Sequence, residues 1–146
     1  MNVFSNTAAK WLSVFVMLVL FALIQACAKQ EQSEQGLRYL KVESAVEAID
    51  QGVAVVDVRT DAEWDAGHLS SARHIPLSQL EQSDPGSILD PSQPVLVYCK
   101  SGGRASKAGQ QLIDAGFEDV RVLKPGGFEH LAAAGVATES GANTQP

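Results

Sequence analysis

One cysteine stands where a buried strand is expected to end and a helix to begin. Cys99 follows the apolar segment 94–98 and opens a loop that ends at Arg104. The first N–H groups of a helix lack partners within it, and the helix dipole adds partial positive charge, so a thiolate is favoured there. Lys100 and Arg104 add two cations to the loop. The loop therefore predicts a nucleophile at Cys99 rather than a small buried hydrophobic residue, the commoner role of a free cysteine.

Strands and helices alternate along the part of the chain that must position this loop. Strands are predicted over residues 39–42, 53–58, 74–76, 95–98 and 120–123. Helices are predicted from a Ser44 cap to Gly52 and over residues 61–66, 77–82, 104–115 and 128–134. This alternation implies an α/β domain, with a mostly parallel central sheet of about five strands and helices on both faces.

Two segments are expected to meet at one edge of this sheet. Ligands of parallel sheets bind beyond the carboxyl ends of the strands. Cys99 lies at one such end, and Asp57-Val58-Arg59 lies at another, where a nearly continuous apolar run marks a strand buried on both faces. We expect Asp57 and Arg59 to form a hydrogen-bonded pair that supports the site without taking part in the reaction.

Three groups of residues resemble a known family. They are residues 55–59 followed by Glu63-Trp64 and Gly67-His68-Leu69, then residues 97–106, and finally Leu123 with Gly126-Gly127-Phe128. In this order and spacing they resemble the single-domain rhodaneses, a sulfurtransferase family, over about residues 37–135. The resemblance implies a rhodanese-like fold for the predicted sheet and helices.

The resemblance also implies a reaction in two steps. The Cys99 thiolate takes sulfane sulfur from a donor such as thiosulfate, forms a persulfide, and passes the sulfur to cyanide or a thiol. The substrate-binding residues implied are Lys100, Ser101, Gly102, Gly103 and Arg104. The physics of the loop agrees, because successive N–H groups form an anion-binding nest and glycine permits the backbone angles of such a curl.

The resemblance assigns supporting roles elsewhere and implies no cofactor. His68 resembles a structural histidine of the family and joins Asp57 and Arg59 as structural support, while Glu63 is expected to be a solvated or bracing residue of its helix. His74 and His130 have no cluster of partner ligands in the sequence, so no metal site is expected.

Two other functions compete with sulfur transfer. A phosphatase or arsenate reductase also uses a cysteine in an anion-binding loop, but that pattern has five residues between cysteine and arginine. Only four residues separate Cys99 from Arg104, which favours the shorter loop of sulfur-transferring rhodaneses. The second rival is a persulfide carrier or redox-sensing module without turnover, tethered to a membrane. It needs the same loop residues, so the sequence leaves it open.

The first residues have the order of an export signal. Lys10 precedes an uncharged, mostly apolar stretch at 11–24, and Ala26-Cys27 follow just after it. The segment resembles a bacterial lipoprotein signal, which implies lipid attachment at Cys27 and a protein held at a membrane on the periplasmic or extracytoplasmic side. An uncleaved membrane anchor and ordinary secretion are the alternatives. If Cys27 carries lipid, Cys99 has no disulfide partner in its own chain.

Length and charge complete the organisation. The chain has 146 residues, 45% of them hydrophobic, and a formal net charge of -6, which argues against a nucleic-acid partner. We predict a signal peptide at 1–26, a flexible tether at 27–36, one folded domain at 37–137 and a disordered tail at 138–146. The expected partners are a small sulfur donor, a thiophilic acceptor and a membrane.

Overall fold

A computed structural model of the chain describes residues 36–141. The strands are β1 (Gly36–Leu40), β2 (Ala54–Asp57), β3 (His68–Leu69), β4 (Ala72–His74), β5 (Val95–Tyr98), β6 (Asp119–Leu123) and β7 (Thr138–Glu139). The helices are α1 (Val42–Asp50), α2 (Asp61–Ala66), α3 (Leu77–Leu80), α4 (Gly103–Asp114) and α5 (Phe128–Ala133), with a single 3-10 turn at Pro85–Ser87. The bounds predicted for β5 and α2 are confirmed.

Five strands form one parallel sheet in the order β1-β6-β5-β2-β4. The central strand β5 is fully buried, as its uninterrupted apolar sequence predicts. Its register with β2 places Asp57 opposite Tyr98, so the chain leaves both strands side by side at the same edge. That edge carries the loops on which Cys99 and Arg59 lie.

The sheet separates two hydrophobic cores, which confirms helices on both faces. One core joins Val56 and Val97 to Leu112 of α4. The other joins Leu96 of β5 to Trp64 of α2, together with side chains of α1 and α5. Neighbouring residues of β5 thus point to opposite cores, as the two-residue period of a strand requires.

The carboxyl-terminal boundary of the domain differs from the prediction. Thr138 and Glu139 pair in antiparallel fashion with Leu69 and His68, so the tail predicted to be disordered from residue 138 begins with an ordered strand. A strand of two residues has no readable periodicity, and its pairing depends on residues about 70 positions earlier in the chain. At the other end, Gly36 belongs to β1 rather than to the predicted tether.

Two local predictions are also wrong. Helix α1 begins at Val42 after Lys41, whose side chain makes no capping bond, so Ser44 lies inside the helix rather than at its cap. The strand predicted at 74–76 lies at Ala72–His74 instead. Pro76 has no N–H to donate to a sheet, and it precedes α3 as its cap.

The predictions for the signal peptide, for lipidation at Cys27, and for most of the tether and the tail concern residues outside the described range. Within residues 36–141, no helix is long and apolar enough to cross a membrane. The same residues contain no group of three His, Cys, Asp or Glu side chains placed to hold a metal ion.

Candidate active site

Cys99 lies directly beyond β5, at the start of the loop that leads into α4. Its side chain is buried, and the N–H of Gly102 donates a hydrogen bond to Sγ over 3.1 Å. Gly102 has a φ of +90°, and a Cβ there would come within 3.0 Å of the Leu123 carbonyl oxygen. Glycine is therefore required at this position for its backbone conformation and for the space. Within the loop, the Gly102 N–H donates to the sulfur, and the predicted nest of successive N–H groups stays a prediction.

The beginning of α5 closes over the cysteine loop from the other side. The N–H of Phe128 donates to the carbonyl oxygen of Cys99 over 3.0 Å. A Cβ on Gly127 would overlap the carbonyl oxygens of Cys99 and Lys100, so only glycine allows this approach. The sequence singled out Gly126-Gly127-Phe128 by resemblance, but no local signal indicated that these residues contact the loop.

Asp57 and Arg59 form the predicted buried pair at the end of β2. The Arg59 side chain donates to Asp57 Oδ2 through Nε at 2.8 Å and through Nη2 at 2.6 Å. Nη2 also donates to the carbonyl oxygen of Gly67, and the guanidinium lies 4.3 Å from the centre of the Phe128 ring. Burial lowers the pKa of Arg59, but the hydrogen bonds and charge of Asp57 outweigh it and raise the pKa overall. The pair thus joins β2, α2 and α5 around the loop.

His68 makes the contacts of a supporting residue. Its Nδ1–H donates to the carbonyl oxygen of Trp64 over 3.0 Å, and its ring stacks on the Trp64 indole at 3.6 Å. His74 stacks on the same indole at 4.6 Å. The two histidines therefore fix α2 and the chain that follows it, and through α2 they fix the position of Glu63.

Tyr98 is a buried polar neighbour that the sequence did not single out. Its hydroxyl oxygen accepts from the N–H of Leu69 over 3.4 Å. Burial raises the pKa of Tyr98, and the charge of Asp57 raises it further. The phenol thus stays neutral beneath the Asp57–Arg59 pair. In sequence it is one more residue of an apolar strand, which is why its contacts could not be foreseen.

Arg104 forms an ion pair that the sequence did not reveal. Its Nη1 and Nη2 donate to Glu63 Oε2 and Oε1 over 2.6 and 2.8 Å. Hydrogen bonds from Arg104 lower the pKa of Glu63 to about 2, and the Glu63 carboxylate raises the pKa of Arg104 in return. The predicted role of Arg104 in binding a donor anion stays a prediction, because both terminal nitrogens are engaged by Glu63.

The Glu63–Arg104 pair stands between two cavities beside the loop. A cavity of about 170 Å³ is lined by Glu63, Lys100, Phe128 and Glu129, among others. A larger one of about 360 Å³ is lined by Arg104 together with residues that follow β2 and residues in and around α3. Lys100 and Ser101 are exposed at the surface of the loop. The smaller cavity thus contains the exposed cation of the loop.

The family follows from a match over most of the folded residues. The family model described as the rhodanese-like domain matches residues 41–134. The chain belongs to the rhodanese-like domain family. The match includes β2, the cysteine loop and the start of α5, which are the three regions that build the site.

Named relatives and similar solved structures support the same family assignment. The thiosulfate sulfurtransferase GlpE of Pseudomonas fluorescens is 34% identical over 96 residues, covering 66% of this chain and 85% of that protein. The uncharacterised protein YqhL of Bacillus subtilis is 32% identical over 120 residues, covering 81% and 92%. A rhodanese-like domain from Anabaena superposes with a TM-score of 0.61 at 25% identity, covering 74% of this chain and 83% of that one. The fold and the membership in the rhodanese-like domain family therefore rest on both the sequence and the structural comparisons.

Proposed function

We propose that this rhodanese-like domain transfers sulfane sulfur through a persulfide on Cys99. The observation that supports this most strongly is the position of Cys99 Sγ at the carboxyl end of β5, where it accepts a hydrogen bond from the N–H of Gly102. An N–H group directed at the sulfur favours a negatively charged thiolate or persulfide.

The first step forms the persulfide. The Cys99 thiolate attacks the outer sulfur of thiosulfate, and a new S–S bond forms. The original S–S bond breaks, and sulfite leaves with its electron pair. The negative charge stays on the outer sulfur, where loop N–H groups stabilise it. Lys100 and the hydroxyl of Ser101 lie at the exposed surface of the loop, where a donor anion would approach.

The second step regenerates the thiolate. Cyanide or a thiolate attacks the outer sulfur and forms thiocyanate or a new persulfide, and the Cys99 thiolate leaves with the electron pair. No oxidant or reductant is needed, because the same sulfur atom moves from donor to acceptor. The Asp57–Arg59 pair and the start of α5 keep the loop in one geometry through both steps, which limits the reorganisation that each step requires.

Thiosulfate:cyanide turnover by the purified protein and by Cys99→Ser tests this function. We expect thiocyanate production by the native protein, a mass gain of one sulfur atom after donor alone, and neither in Cys99→Ser. A persulfide that forms without turnover would favour the carrier function over catalysis. If the native protein showed neither turnover nor the added sulfur, sulfur transfer at Cys99 would be refuted.

We also propose that the protein is exported and held at a membrane by lipid on Cys27. The order of a cation, an apolar stretch and then Ala26 directly before Cys27 supports this. Mass spectrometry of the amino-terminal peptide from membrane fractions tests it. A lipid mass on an amino-terminal Cys27 is the expected result. An intact Met1 would contradict cleavage and support an uncleaved anchor.

A further inference from the structure

Glu63 is held by partners on two sides. Its carboxylate accepts two bonds from Arg104, and its Oε2 also accepts from Thr60 Oγ1 over 2.9 Å and from the Thr60 N–H over 3.1 Å. The bond from the Thr60 N–H and the bond from the Glu63 N–H to Thr60 Oγ1 over 3.4 Å form a capping box at the start of α2. The carboxylate therefore has a fixed position, and it holds the Arg104 guanidinium in a bidentate geometry rather than a loose surface contact.

Because Glu63 engages Arg104, this arginine is less available to bind an anion in the site. Four cations lie around the cysteine loop, and two of them, Arg59 and Arg104, are each matched by a carboxylate. Lys100 has no ion-pair partner among residues 36–141. Lys124 follows β6 nearby, and its ammonium lies 5.5 Å from the centre of the Tyr39 ring. Lys100 is therefore the cation of the loop that remains for a ligand.

The cavity beside Lys100 carries balanced charge. Its charged lining residues are the cations Arg59 and Lys100 and the anions Glu63 and Glu129. A donor with two negative charges gains little from such a lining, because its attraction to Lys100 is opposed by the Glu129 carboxylate in the same lining, and Arg59 and Glu63 are each engaged in an ion pair. A donor with one negative charge and an organic group loses less, and it finds the Phe128 ring in the same cavity.

We infer that Glu63 is a specificity-determining residue that disfavours dianionic sulfur donors by neutralising Arg104. The donor class that fits is a monoanion whose outer sulfur is bonded to a sulfur atom that carries an organic group, such as an organic thiosulfonate or an organic persulfide. With a thiosulfonate, the Cys99 thiolate takes the outer sulfur and the S–S bond breaks. The organic sulfinate then leaves with the electron pair. This inference rests on the proposed sulfur transfer.

The test compares two donors in the same protein. Thiosulfate supplies the dianion and benzenethiosulfonate the monoanion, with cyanide as acceptor for both, and the measured quantity is the ratio of their kcat/KM values. Glu63→Gln keeps the side-chain shape, and glutamine also serves in a capping box. We expect the ratio to move about fivefold toward thiosulfate, the change that corresponds to one exposed ion pair of about 1 kcal/mol.

Three further variants distinguish a change in donor preference from a general loss of structure. Arg104→Gln leaves the Glu63 carboxylate unmatched, so we expect the ratio to move away from thiosulfate. The double variant Glu63→Gln/Arg104→Gln restores a neutral pair, so its ratio should return close to the native value even if both activities fall. Glu43→Gln removes the same charge from an exposed position on α1 and should leave the ratio unchanged. Thermal unfolding of each variant identifies any that fail to fold.

The outcomes distinguish a failure of the inference about Glu63 from a failure of the proposed sulfur transfer. If the native protein uses both donors but Glu63→Gln leaves the ratio within twofold of native, the inference is overturned and the proposed function stands. Shifts of the two single variants in the same direction would overturn it too. If the native protein takes sulfur from neither donor, the proposed function fails and the inference fails with it.

Discussion

The contact between α5 and the cysteine loop makes a sharp prediction for Gly127→Ala. A Cβ at residue 127 would overlap the carbonyl oxygens of Cys99 and Lys100, which are backbone atoms that no rotamer change can move. The substitution must therefore displace α5, the loop or both. The φ of Gly127 is extended, so the effect comes from overlap and not from backbone conformation.

Overpacking and the loss of a hydrogen bond together give the expected fall in the free energy of unfolding. Overpacking a well-packed site costs about 1–3 kcal/mol. Displacement of α5 also breaks the bond from the Phe128 N–H to the Cys99 carbonyl, which contributes about 1 kcal/mol. We therefore expect Gly127→Ala to lower the free energy of unfolding by about 2–4 kcal/mol. We also expect sulfur transfer to fall at least about tenfold, because the loop that positions Cys99 shifts.

Gly103→Ala is the matched control on the opposite side of the same loop. A Cβ on Gly103 would meet no heavy atom within 4 Å, and the residue opens α4. Alanine is the better helix former, so we expect this variant to keep or raise stability by up to about 0.5 kcal/mol. Urea unfolding of both variants measures the difference. A Gly127→Ala variant as stable as the native protein would refute the close approach of α5 to the loop.

Two further predictions concern the charged pairs. Asp57→Ala leaves the Arg59 charge buried without its carboxylate, so we expect the free energy of unfolding, measured with urea, to fall by about 3–5 kcal/mol. The control Asp50→Ala changes an exposed aspartate and should lower it by less than about 0.5 kcal/mol. Because the pKa of Glu63 is lowered from 4.5 to about 2, its ion pair stabilises the fold fully above about pH 4.5 and progressively less as the pH falls toward 2. Because the pair is about one-third exposed, we expect the native protein to lose about 1 kcal/mol of stability at acid pH that Glu63→Gln does not lose. Equal losses of stability at acid pH in the two proteins would contradict a stabilising role for this ion pair.

Elements with strong local signals could be predicted from the sequence. The strand at 95–98 is an unbroken apolar run, and the helix at 61–66 begins after a Thr60–Glu63 capping box and ends at Gly67, whose φ is positive. For both elements the predicted and observed bounds agree. The same reasoning placed Cys99 at the junction of strand and helix, because strand end, glycines and cations all lie within a few residues of one another.

Features that depend on distant partners could not be predicted. The pairing of β3 with β7 involves strands of two residues each, too short to show a period. Arg104 and Glu63 are 41 positions apart, and only the adjacency of β5 and β2 in the sheet brings them together. The sequence displays both charges but does not indicate that they neutralise each other. Arg104 therefore resembled an available anion-binding cation when considered within its loop alone.

The site consists of two parts with different functions, one at the end of β2 and one after β5. The end of β2 and the segment that follows it supply both carboxylates, Asp57 and Glu63, which pair with Arg59 and Arg104 and reduce their attraction for an anionic donor. The segment that follows β5 supplies the sulfur of Cys99 and the Gly102 N–H that donates to it. Changes after β2 should therefore alter stability and donor preference while sulfur transfer persists. Loss of Cys99 should abolish transfer from every donor, whatever its charge.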